Sequence, residues 1–420
     1  MSVTALLGCL YGDEGKAKIV DYLSSDMDVI VRFQGGSNAG HTIHFNKKKF
    51  VLHLIPCGIF HPGKICVLSS GVVIDPFQLE SEMEALREQS VNFEGRFFID
   101  ERAAIVLPIH KILDEKNENL NENKKIGTTK RGIGPCYADN VSRIAIRIHD
   151  LKSKDILKNK LEHIYRFHDL RDSIDFKEID NQVLKLYDFG QKYKHYFINF
   201  PYVIQKYMND NKKILFEGAQ GSLLDIYFGT YPYVTSSHTI SGGIASAVGF
   251  SPKRIDQIIG IFKSYFTRVG EGPFPTELND KIGKKIQKQG NEFGSTTGRP
   301  RRCGWFDAVT ARYSAMINGV DTAVITLLDV LSGFDTIKIC VAYDANGTIY
   351  REFPADSAVL YNYSPVYLEM PGWKEDISLC KHWHELPKNA QKYVDMIEEL
   401  INIPVKIISV GPSREQTITR

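Results

Sequence analysis

A glycine-rich turn near the start of the chain carries an acid and a lysine close together. Its sequence is GDEGKAK (12–18), and it lies between a run typical of a buried strand and a pattern typical of a helix. Backbone N–H groups at such a turn bind phosphate. Ala17 follows Lys16 where a phosphate loop carries a Ser or Thr ligand for Mg²⁺, so Asp13 is the candidate to replace that ligand or to act as a base. The alternative is an ordinary strand-to-helix turn with a surface lysine.

A second glycine-rich turn, QGGSNAGHT (34–42), also follows a strand-like run, and it carries His41. Open α/β sheets bind ligands at the carboxyl ends of their strands. We therefore expect both turns at the carboxyl ends of neighbouring strands, where Asp13 and His41 would form a base and acid pair. The alternative is that His41 is a surface residue, as most histidines in loops are.

Four further features fit the binding of anions or of a base. GTTKRGIGP (127–135) suits a second phosphate, and GRPRR (298–302) has arginines spaced for bidentate capture of carboxylates or phosphates. Gln220 follows another strand-like run beside two glycines. Asp329 ends a further run, where it could accept two hydrogen bonds from the N1 and N2 edge of guanine. The alternatives are a solvated charge run for the arginines and a helix cap for the aspartate.

The elements that must position these turns alternate between strands and helices. Short apolar runs in the first hundred residues, and again from about residue 213, predict buried strands, with helical patterns between them. This alternation predicts a mostly parallel sheet. Long charged patterns of helical period between about 150 and 210 predict a helical insertion. Asn346 and Gly347 between alternating strands predict a hairpin.

Composition excludes several classes of protein. The 420 residues are 43% hydrophobic and 24% charged, with a net charge of +2, so neither nucleic acid nor a membrane surface is expected as a partner. No long uncharged apolar run and no basic leader is present, so we expect no membrane span and no signal peptide. Seven scattered cysteines without a CxxC pair favour the reducing cytosol, and they argue against a disulfide framework or a structural zinc site.

Taken together, the motifs resemble those of the adenylosuccinate synthetase family. They are, in order, GDEGKAK, GGSNAGHT, GTTKRGIGP, FEGAQGSLLDI, GTYPYVTSS, VGEGPFPTEL, GNEFGSTTGRPRRCGW and MPGW, and they extend from about Leu7 to Pro412. The resemblance implies a P-loop-like α/β fold, in which a mostly parallel central sheet is flanked by helices and accompanied by a helical insertion and a small antiparallel hairpin. It implies a single domain over 1–420, with a helical subdomain around 100–210.

The resemblance also implies a reaction. Members of this family join IMP and L-aspartate in a GTP-dependent ligation that gives adenylosuccinate, GDP and phosphate. The implied route passes through a 6-phosphoryl-IMP intermediate, and the reaction is the first committed step of AMP synthesis from IMP. One Mg²⁺ per subunit, a homodimer and a cytoplasmic location are implied as well.

The same resemblance implies roles for individual residues. Asp13 matches the base that takes the N1 proton of IMP, and together with the Gly40 carbonyl it matches the protein ligands of Mg²⁺. Lys16 matches a catalytic residue that neutralises the phosphates. His41 matches the acid that stabilises the leaving diphosphate, and Gln220 matches a residue near the reacting O6.

Three sets of binding residues are implied in the same way, and in one of them Arg143 matches an arginine that reaches the IMP phosphate of the neighbouring subunit. The GTP set is Gly12, Asp13, Glu14, Gly15, Lys16, Ala17, Lys18, Gly40, His41, Thr42, Arg301, Leu327, Leu328, Asp329, Ser409, Val410 and Gly411. The IMP set is Asp13, Lys16, Asn38, Ala39, Gly40, His41, Thr129, Arg143, Gln220, Thr235 and Arg299. The aspartate set is Ser295, Thr296, Thr297, Gly298, Arg299, Pro300 and Arg301.

The chain departs from the usual family pattern at several positions. Leu10-Tyr11 replaces Gln-Trp, Ala17 replaces a glycine, and Leu327 replaces a lysine that normally flanks the guanine. Other atypical residues are Ser37, Lys130, Tyr227 and Phe228. The departures keep open a related ligase that activates a purine O6 but accepts another nucleotide or phosphate donor. A third interpretation, a non-catalytic nucleotide-binding homologue, would need Asp13 or His41 to be missing, and both are present.

Overall fold

The computed structural model describes residues 2–45, 48–120, 126–170, 175–294 and 298–420. Its strands are β1 (Val3–Gly8), β2 (Val29–Arg32), β3 (His41–Phe45), β4 (Lys48–Leu52), β5 (Ile65–Leu68), β6 (Val73–Ile74), β7 (Phe97–Asp100), β8 (Ala104–Ile105), β9 (Phe197–Ile198), β10 (Ile214–Glu217), β11 (Gln257–Lys263), β12 (Phe266–Arg268), β13 (Arg302–Gly304), β14 (Phe306–Asp307), β15 (Thr322–Thr326), β16 (Thr336–Ala345), β17 (Thr348–Tyr350), β18 (Ser364–Pro371), β19 (Val405–Ser409) and β20 (Thr417–Thr419). Its α-helices are α1 (Lys16–Ser24), α2 (Pro76–Glu88), α3 (Pro108–Leu120), α4 (Ile133–Val141), α5 (Lys154–Phe167), α6 (Phe176–Tyr193), α7 (Phe200–Asn209), α8 (Gly242–Val248), α9 (Lys281–Gln289), α10 (Ala308–Asn318) and α11 (Lys388–Ile401).

Ten of the strands form one central sheet, in the order β20-β19-β15-β11-β1-β10-β2-β5-β7-β9. Every neighbouring pair is parallel except β19 and β20 at one edge. Helices cover both faces, which is the usual arrangement for a parallel sheet because its crossover connections run over the faces. The predicted α/β fold with a mostly parallel central sheet is therefore confirmed.

The central strand β1 is buried on both faces, and this explains its continuous apolar sequence. Leu6 packs on one side in a cluster that contains Leu79 of α2. Ala5 and Leu7 pack on the other side in a cluster that contains Phe200 of α7. Full burial of an aliphatic side chain stabilises a fold by about 1.5–3 kcal/mol. The strand that carries the phosphate loop is thus fixed from both faces.

The prediction that the two glycine-rich turns follow neighbouring strands is wrong in one respect. β10 lies between β1 and β2, paired in parallel with each. Because β10 comes from a segment about 180 residues after β2, local sequence patterns could not reveal its insertion. The result is that three loops, following β1, β10 and β2, lie side by side at the carboxyl edge of the sheet.

Two smaller regions flank this sheet. Helices α3 to α7 occupy much of the segment from 108 to 209, and β9 from the same segment joins the edge of the central sheet. The predicted hairpin is present as β16 and β17, with Asn346 (φ 53°) and Gly347 (φ 87°) in its turn. Such left-handed pairs fit tight hairpins. β16 also pairs with β14 and β18 in a second sheet. No helix in the described ranges is long and apolar enough to span a membrane.

Candidate active site

The buried side chain of Glu14 holds the backbone of the turn after β1. This side chain is fully buried, and its Oε1 accepts the backbone N–H groups of Leu10 (3.1 Å) and Gly12 (2.8 Å). Its Oε2 lies 2.5 Å from Nζ of Lys16, the first residue of α1. Gly12 has φ 84°, a left-handed conformation that glycine adopts without strain. The Glu14 carboxylate therefore stabilises the loop and holds the lysine rather than facing outward.

Asp13 lies in the middle of this turn in a left-handed conformation (φ 58°), and its side chain is 36% exposed. Its Oδ2 accepts a hydrogen bond of 2.7 Å from Nε of Arg301. Burial alone would raise the pKa of the Asp13 carboxyl, but Arg301, Lys263 and Lys16 together hold that pKa below its usual value. Asp13 is therefore an ionised acceptor at neutral pH.

Arg301 is itself held by a buried acid that the sequence analysis did not identify. Nη1 of Arg301 donates to Oε2 of Glu292 at 2.8 Å. The other oxygen of Glu292 lies 2.5 Å from Nζ of Lys263 and accepts a hydrogen bond from the Tyr265 hydroxyl. Lys263 and Glu292 are each 1% exposed. The sequence signal for this group is a lysine that ends the apolar run of β11, next to the end of β1.

His41 forms a second buried dyad. Its Nδ1 lies 2.6 Å from Oε1 of Glu217, the last residue of β10. Oε2 of Glu217 accepts the backbone N–H of Cys57 (2.9 Å), and the Cys57 thiol donates to Oε1 (3.2 Å). Burial lowers the pKa of His41, against the opposing effect of Glu217. Burial alone would raise the pKa of Glu217, but the bond from His41 and the neighbouring donors hold it below its usual value. Neutral His41 thus donates from Nδ1 to an anion, and Nε2 is left for a ligand.

Gln220 and Asn38 meet between the two dyads. Gln220 has a left-handed backbone (φ 57°), and its Nε2 donates to Oδ1 of Asn38 at 3.3 Å. The same Asn38 oxygen accepts the backbone N–H of Gly36 (3.2 Å). Oε1 of Gln220 is buried and has no hydrogen-bond partner among the described residues. A buried acceptor in this condition is a candidate for a ligand's donor.

Lys18, at the end of the glycine-rich turn 12–18, contacts the residues that are predicted to bind guanine. Lys18 Nζ donates to Ser409 Oγ (2.6 Å) and to the carbonyls of Gly411 (2.7 Å) and Gln416 (2.8 Å). Burial lowers the pKa of Lys18 to about 8. Oδ1 of Asp329 is buried and unpartnered within the described part of the chain, and burial raises the pKa of this carboxyl. An open acceptor therefore lies beside a segment that Lys18 fixes.

The remaining predicted residues lie around these groups. Leu327 (φ 55°) packs its side chain toward Gly15, and Arg299 Nη2 donates to the Gly127 carbonyl (3.0 Å). Thr129 and Thr235 are partly buried. Arg143 lies in an exposed turn after α4, where its N–H donates to the Asn140 carbonyl. The other predicted residues lie in the same loops or, as Ala17 and Thr42 do, at the start of the helix or strand that follows: Ala17, Ala39, Gly40, Thr42, Gly298, Pro300, Leu328 and Val410. Ser295, Thr296 and Thr297 lie outside the described residues.

The fold and this arrangement define a phosphate-loop-like α/β protein with a polar site at the carboxyl ends of parallel strands. A profile of the adenylosuccinate synthetase family matches residues 5–418. The chain belongs to that family, which consists of enzymes that form a C–N bond in purine biosynthesis. The resemblance drawn from the motifs is thereby confirmed. Membership supports the joining of IMP and L-aspartate to adenylosuccinate as the reaction of this chain.

Individual relatives match over almost their whole length. The adenylosuccinate synthetase of Thermodesulfovibrio yellowstonii is 45% identical over 431 residues, which cover 100% of this chain and 99% of the relative. That of Carboxydothermus hydrogenoformans is 47% identical over 434 residues, with the same coverage.

Two solved structures are similar to this one. The fully ligated adenylosuccinate synthetase from Plasmodium falciparum superposes with a TM-score of 0.95 at 42% identity, over 100% of both chains. The succinoaminodeoxyadenylate synthetase of cyanophage S-2L, bound to dGMP and to dATP as an energy donor, matches with a TM-score of 0.64 at 19% identity over 100% of this chain and 95% of that one. The second likeness shows the fold alone.

Proposed function

We propose that this chain joins IMP to L-aspartate by GTP-dependent phosphorylation of O6 of the purine. The observation that carries the proposal is the state of Asp13, an ionised carboxylate at the centre of a phosphate loop, one turn from a buried lysine. A carboxylate in that position would repel phosphate if it had no other task. A base that prepares a nucleophile next to the phosphate to be transferred explains why the loop carries it.

In the first proposed step, Asp13 removes the N1 proton of IMP. The electron pair of the N1–H bond then increases the negative charge on O6. O6 attacks the γ-phosphorus of GTP, the bond between that phosphorus and the β,γ-bridging oxygen breaks, and GDP leaves. Lys16 neutralises charge on the transferred group, and Nε2 of Gln220 is a donor for O6.

In the second proposed step, the amine of L-aspartate attacks C6 of the phosphorylated purine. The bond between C6 and O6 breaks, the attacking nitrogen loses one proton, and inorganic phosphate leaves with the former O6 oxygen. Arg299 and Arg301 lie on the loop proposed to hold the aspartate carboxylates, and bidentate guanidinium pairs suit that task. Arg301 must then divide its donors between the substrate and Asp13, to which it donates in this structure.

His41 is proposed to act on the leaving diphosphate. With Nδ1 bonded to the Glu217 anion, a proton on Nε2 requires the imidazolium form. The negative charge of a triphosphate near Nε2 raises the pKa of the imidazole, and Glu217 stabilises the resulting cation. Binding of GTP would thus convert a neutral histidine into the acid that the reaction needs.

Mg²⁺ is the cofactor proposed for this reaction, and the donor chemistry fits it. The Asp13 carboxylate and the Gly40 carbonyl are hard oxygen ligands, which Mg²⁺ prefers, and a magnesium ion keeps several waters or phosphate oxygens besides one or two protein ligands. When bound, the ion would neutralise charge on the phosphates and orient them. Arg301 donates to Oδ2 of Asp13, so Oδ1 could serve as the ligand while that hydrogen bond remains.

GTP is the proposed donor because of Asp329. Its open Oδ1 can accept from the N1–H or N2–H₂ group of guanine, and adenine offers no donor at the corresponding positions. Lys18 stabilises the proposed guanine site because it donates hydrogen bonds to Ser409, Gly411 and Gln416. The guanine set Ser409, Val410 and Gly411 lies within this fixed segment.

We further propose that the working unit is a cytoplasmic homodimer in which Arg143 completes the neighbouring subunit's IMP site. Arg143 lies in an exposed turn beside Val141, which is 81% exposed. An arginine on an exposed turn can reach a neighbouring subunit, which is the role that the family resemblance implies for Arg143. The segment 127–135, which leads into α4 and this turn, also contacts Arg299 through the Gly127 carbonyl.

Transfer of oxygen tests the proposed reaction route. IMP labelled with ¹⁸O at position 6 is incubated with L-aspartate, Mg²⁺ and GTP, and the inorganic phosphate is analysed by mass spectrometry. If O6 is phosphorylated and then displaced, each phosphate released carries one ¹⁸O atom. Unlabelled phosphate, formed together with adenylosuccinate, would rule out phosphorylation at O6.

A further inference from the structure

A buried group of three metal-binding side chains lies next to the phosphate loop. Nδ1 of His41 is 2.6 Å from Oε1 of Glu217, and Sγ of Cys57 is 3.2 Å from that oxygen and 3.5 Å from Nδ1. All three side chains are buried, and one potential ligand atom from each lies within 4.8 Å of the others. We propose that this cluster reversibly binds a thiophilic divalent cation, Zn²⁺ above all, and that the bound ion inhibits the enzyme.

The chemistry of the ligands supports a soft cation. An imidazole nitrogen, a thiolate sulfur and a carboxylate oxygen are the three ligand types that Zn²⁺ uses in proteins. The oxygens of Asp13 and Gly40 proposed for Mg²⁺ are hard ligands of a different kind. Two neighbouring cation sites of opposite preference would therefore adjoin at the carboxyl edge of the sheet.

The spacing is close to that of a tetrahedral zinc site. Bonds of about 2.0–2.3 Å place neighbouring ligand atoms about 3.3–3.8 Å apart. The two distances from Sγ of Cys57, 3.5 Å and 3.2 Å, are near that range. The 2.6 Å contact between His41 and Glu217 must open by about 0.7–1.2 Å. With three protein ligands, the fourth position is left for water.

Metal binding changes the protonation of Cys57 and His41. The Cys57 thiol loses its proton to solvent as the sulfur–metal bond forms, and the imidazole proton of His41 moves from Nδ1 to Nε2. Arg32 opposes the metal, because its buried guanidinium is a cation beside this cluster. It cannot withdraw, since it donates to the carbonyls of Gln34, Gly36, His53 and Leu54. The site is therefore expected to bind reversibly, and it is no structural zinc site.

The inhibitory consequence rests on the function proposed for His41. A metal ion on Nδ1 replaces the hydrogen bond with which Glu217 orients the imidazole and stabilises its protonated form. His41 would then carry its proton on Nε2 as a neutral, metal-bound imidazole, which gives up that proton far less readily than the imidazolium proposed as the acid for the leaving diphosphate. Excess Mg²⁺ should not relieve this inhibition, because the hard cation does not compete for a thiolate.

Cobalt provides a direct test of binding that does not depend on activity. Co²⁺ is titrated into the full-length protein without nucleotides, and the absorption of thiolate-to-cobalt charge transfer is recorded. The band is expected in the wild type and lost in Cys57→Ser, with the folded state of the variant checked by its Tm. Cys340→Ser removes an equally buried thiol elsewhere, and Cys380→Ser removes the thiol nearest to His382 and His384. Both controls should keep the band.

Absence of the band in the wild type, or its persistence in Cys57→Ser, would overturn the proposed site. Inhibition is then measured by titrating Zn²⁺ at saturating Mg²⁺ and GTP, with each rate expressed relative to the same variant without zinc. The concentration that halves the rate should rise at least about tenfold in Cys57→Ser and stay unchanged in both controls. Cobalt binding through Cys57 without zinc inhibition would retain the metal site and contradict the role proposed for His41.

Discussion

The charged groups at the two ends of the glycine-rich turn 12–18 differ in whether they have a protein partner. At the end proposed to be catalytic, each of the three side chains assigned to the chemistry has a charged protein partner: Asp13 has Arg301, Lys16 has Glu14, and His41 has Glu217. At the base end, the buried Oδ1 of Asp329 has none among the described residues.

The difference reflects what each end must do. Catalytic groups need a fixed protonation state and orientation before substrate arrives, and a charged partner supplies both. A group that selects a base needs a free acceptor whose hydrogen bond forms with the correct base and stays unmade with the wrong one. The proposed catalytic end is therefore stabilised without ligand, whereas the end proposed for guanine keeps an unpaired buried acceptor until a donor group binds.

The largest expected effect comes from removing the reactive acid. Asp13→Ala should lower kcat by at least about 10²–10⁴-fold, the range for loss of general-base catalysis, because Arg301 and Lys16 would face the substrates with no base. The measurement is steady-state turnover at saturating Mg²⁺ and substrates, with Tm recorded as the control for folding. Retention of more than about a tenth of wild-type turnover would contradict the assignment of Asp13.

A mixing experiment tests whether the catalytic end is complete within one chain. Arg143→Leu and Asp13→Ala should each be nearly inactive. After subunit exchange in equal amounts, half of the dimers contain both variants, and each of these has one site with both residues intact. Recovery of about a quarter of the wild-type activity is expected. Mixtures that stay inactive after exchange has been demonstrated by mass spectrometry would count against a shared site.

Asp329→Asn tests whether the unpaired acceptor destabilises the free protein. The substitution should weaken catalysis with GTP and stabilise the protein without ligand. Its kcat/KM for GTP should fall about tenfold or more, while Tm rises by about 1–3 °C. Burial raises the pKa of Asp329, so the stability it contributes is complete below the ordinary value and is lost as pH rises through the raised pKa. Above the raised pKa the buried anion is thus a cost that asparagine removes.

Asp225→Asn is the matched control for the change in Tm. Asp225 is fully buried, and in contrast to the open Oδ1 of Asp329 both of its oxygens accept backbone N–H groups, which are those of Tyr227, Phe228 and Thr239. The amide cannot accept at both positions, so this variant should lower Tm. A lower Tm for Asp329→Asn as well would show that the base end is not an open acceptor.

The smallest effect is expected at Leu327, which packs toward Gly15 of the phosphate loop. Leucine can cover the face of the base with apolar contact, but it provides no charge, so Leu327→Lys should lower the KM for GTP a few-fold with kcat unchanged. Wild-type protein should still prefer GTP to ATP because of Asp329. Equal kcat/KM values for the two donors in the wild type would favour the related ligase with another donor.

The sequence predicted the positions of Asp13, His41 and Gln220 well, because each follows an apolar run that can only be a buried strand. It did not predict their partners. Glu217 is 176 residues from His41, and Arg301 is 288 from Asp13, so only the order of strands in the sheet brings them together. The spacing of apolar residues indicates whether a segment is a strand or a helix, but it does not indicate which other strands lie next to it in the sheet. Glu217 did leave a trace, because it is a charged residue at the end of an apolar strand, as Lys263 is at the end of β11.

The insertion of β10 between β1 and β2 has a consequence for synthesis of the chain on the ribosome. β1 emerges first, yet its two neighbours in the sheet, β10 and β11, are made only when residues 214–217 and 257–263 have been added. Until then β1 presents unpaired edges on both sides, while β2, β5 and β7 can already associate. Pairing across such long separations is slow, and exposed strand edges invite aggregation. The nascent N-terminal third of the chain is thus the part most in need of a chaperone.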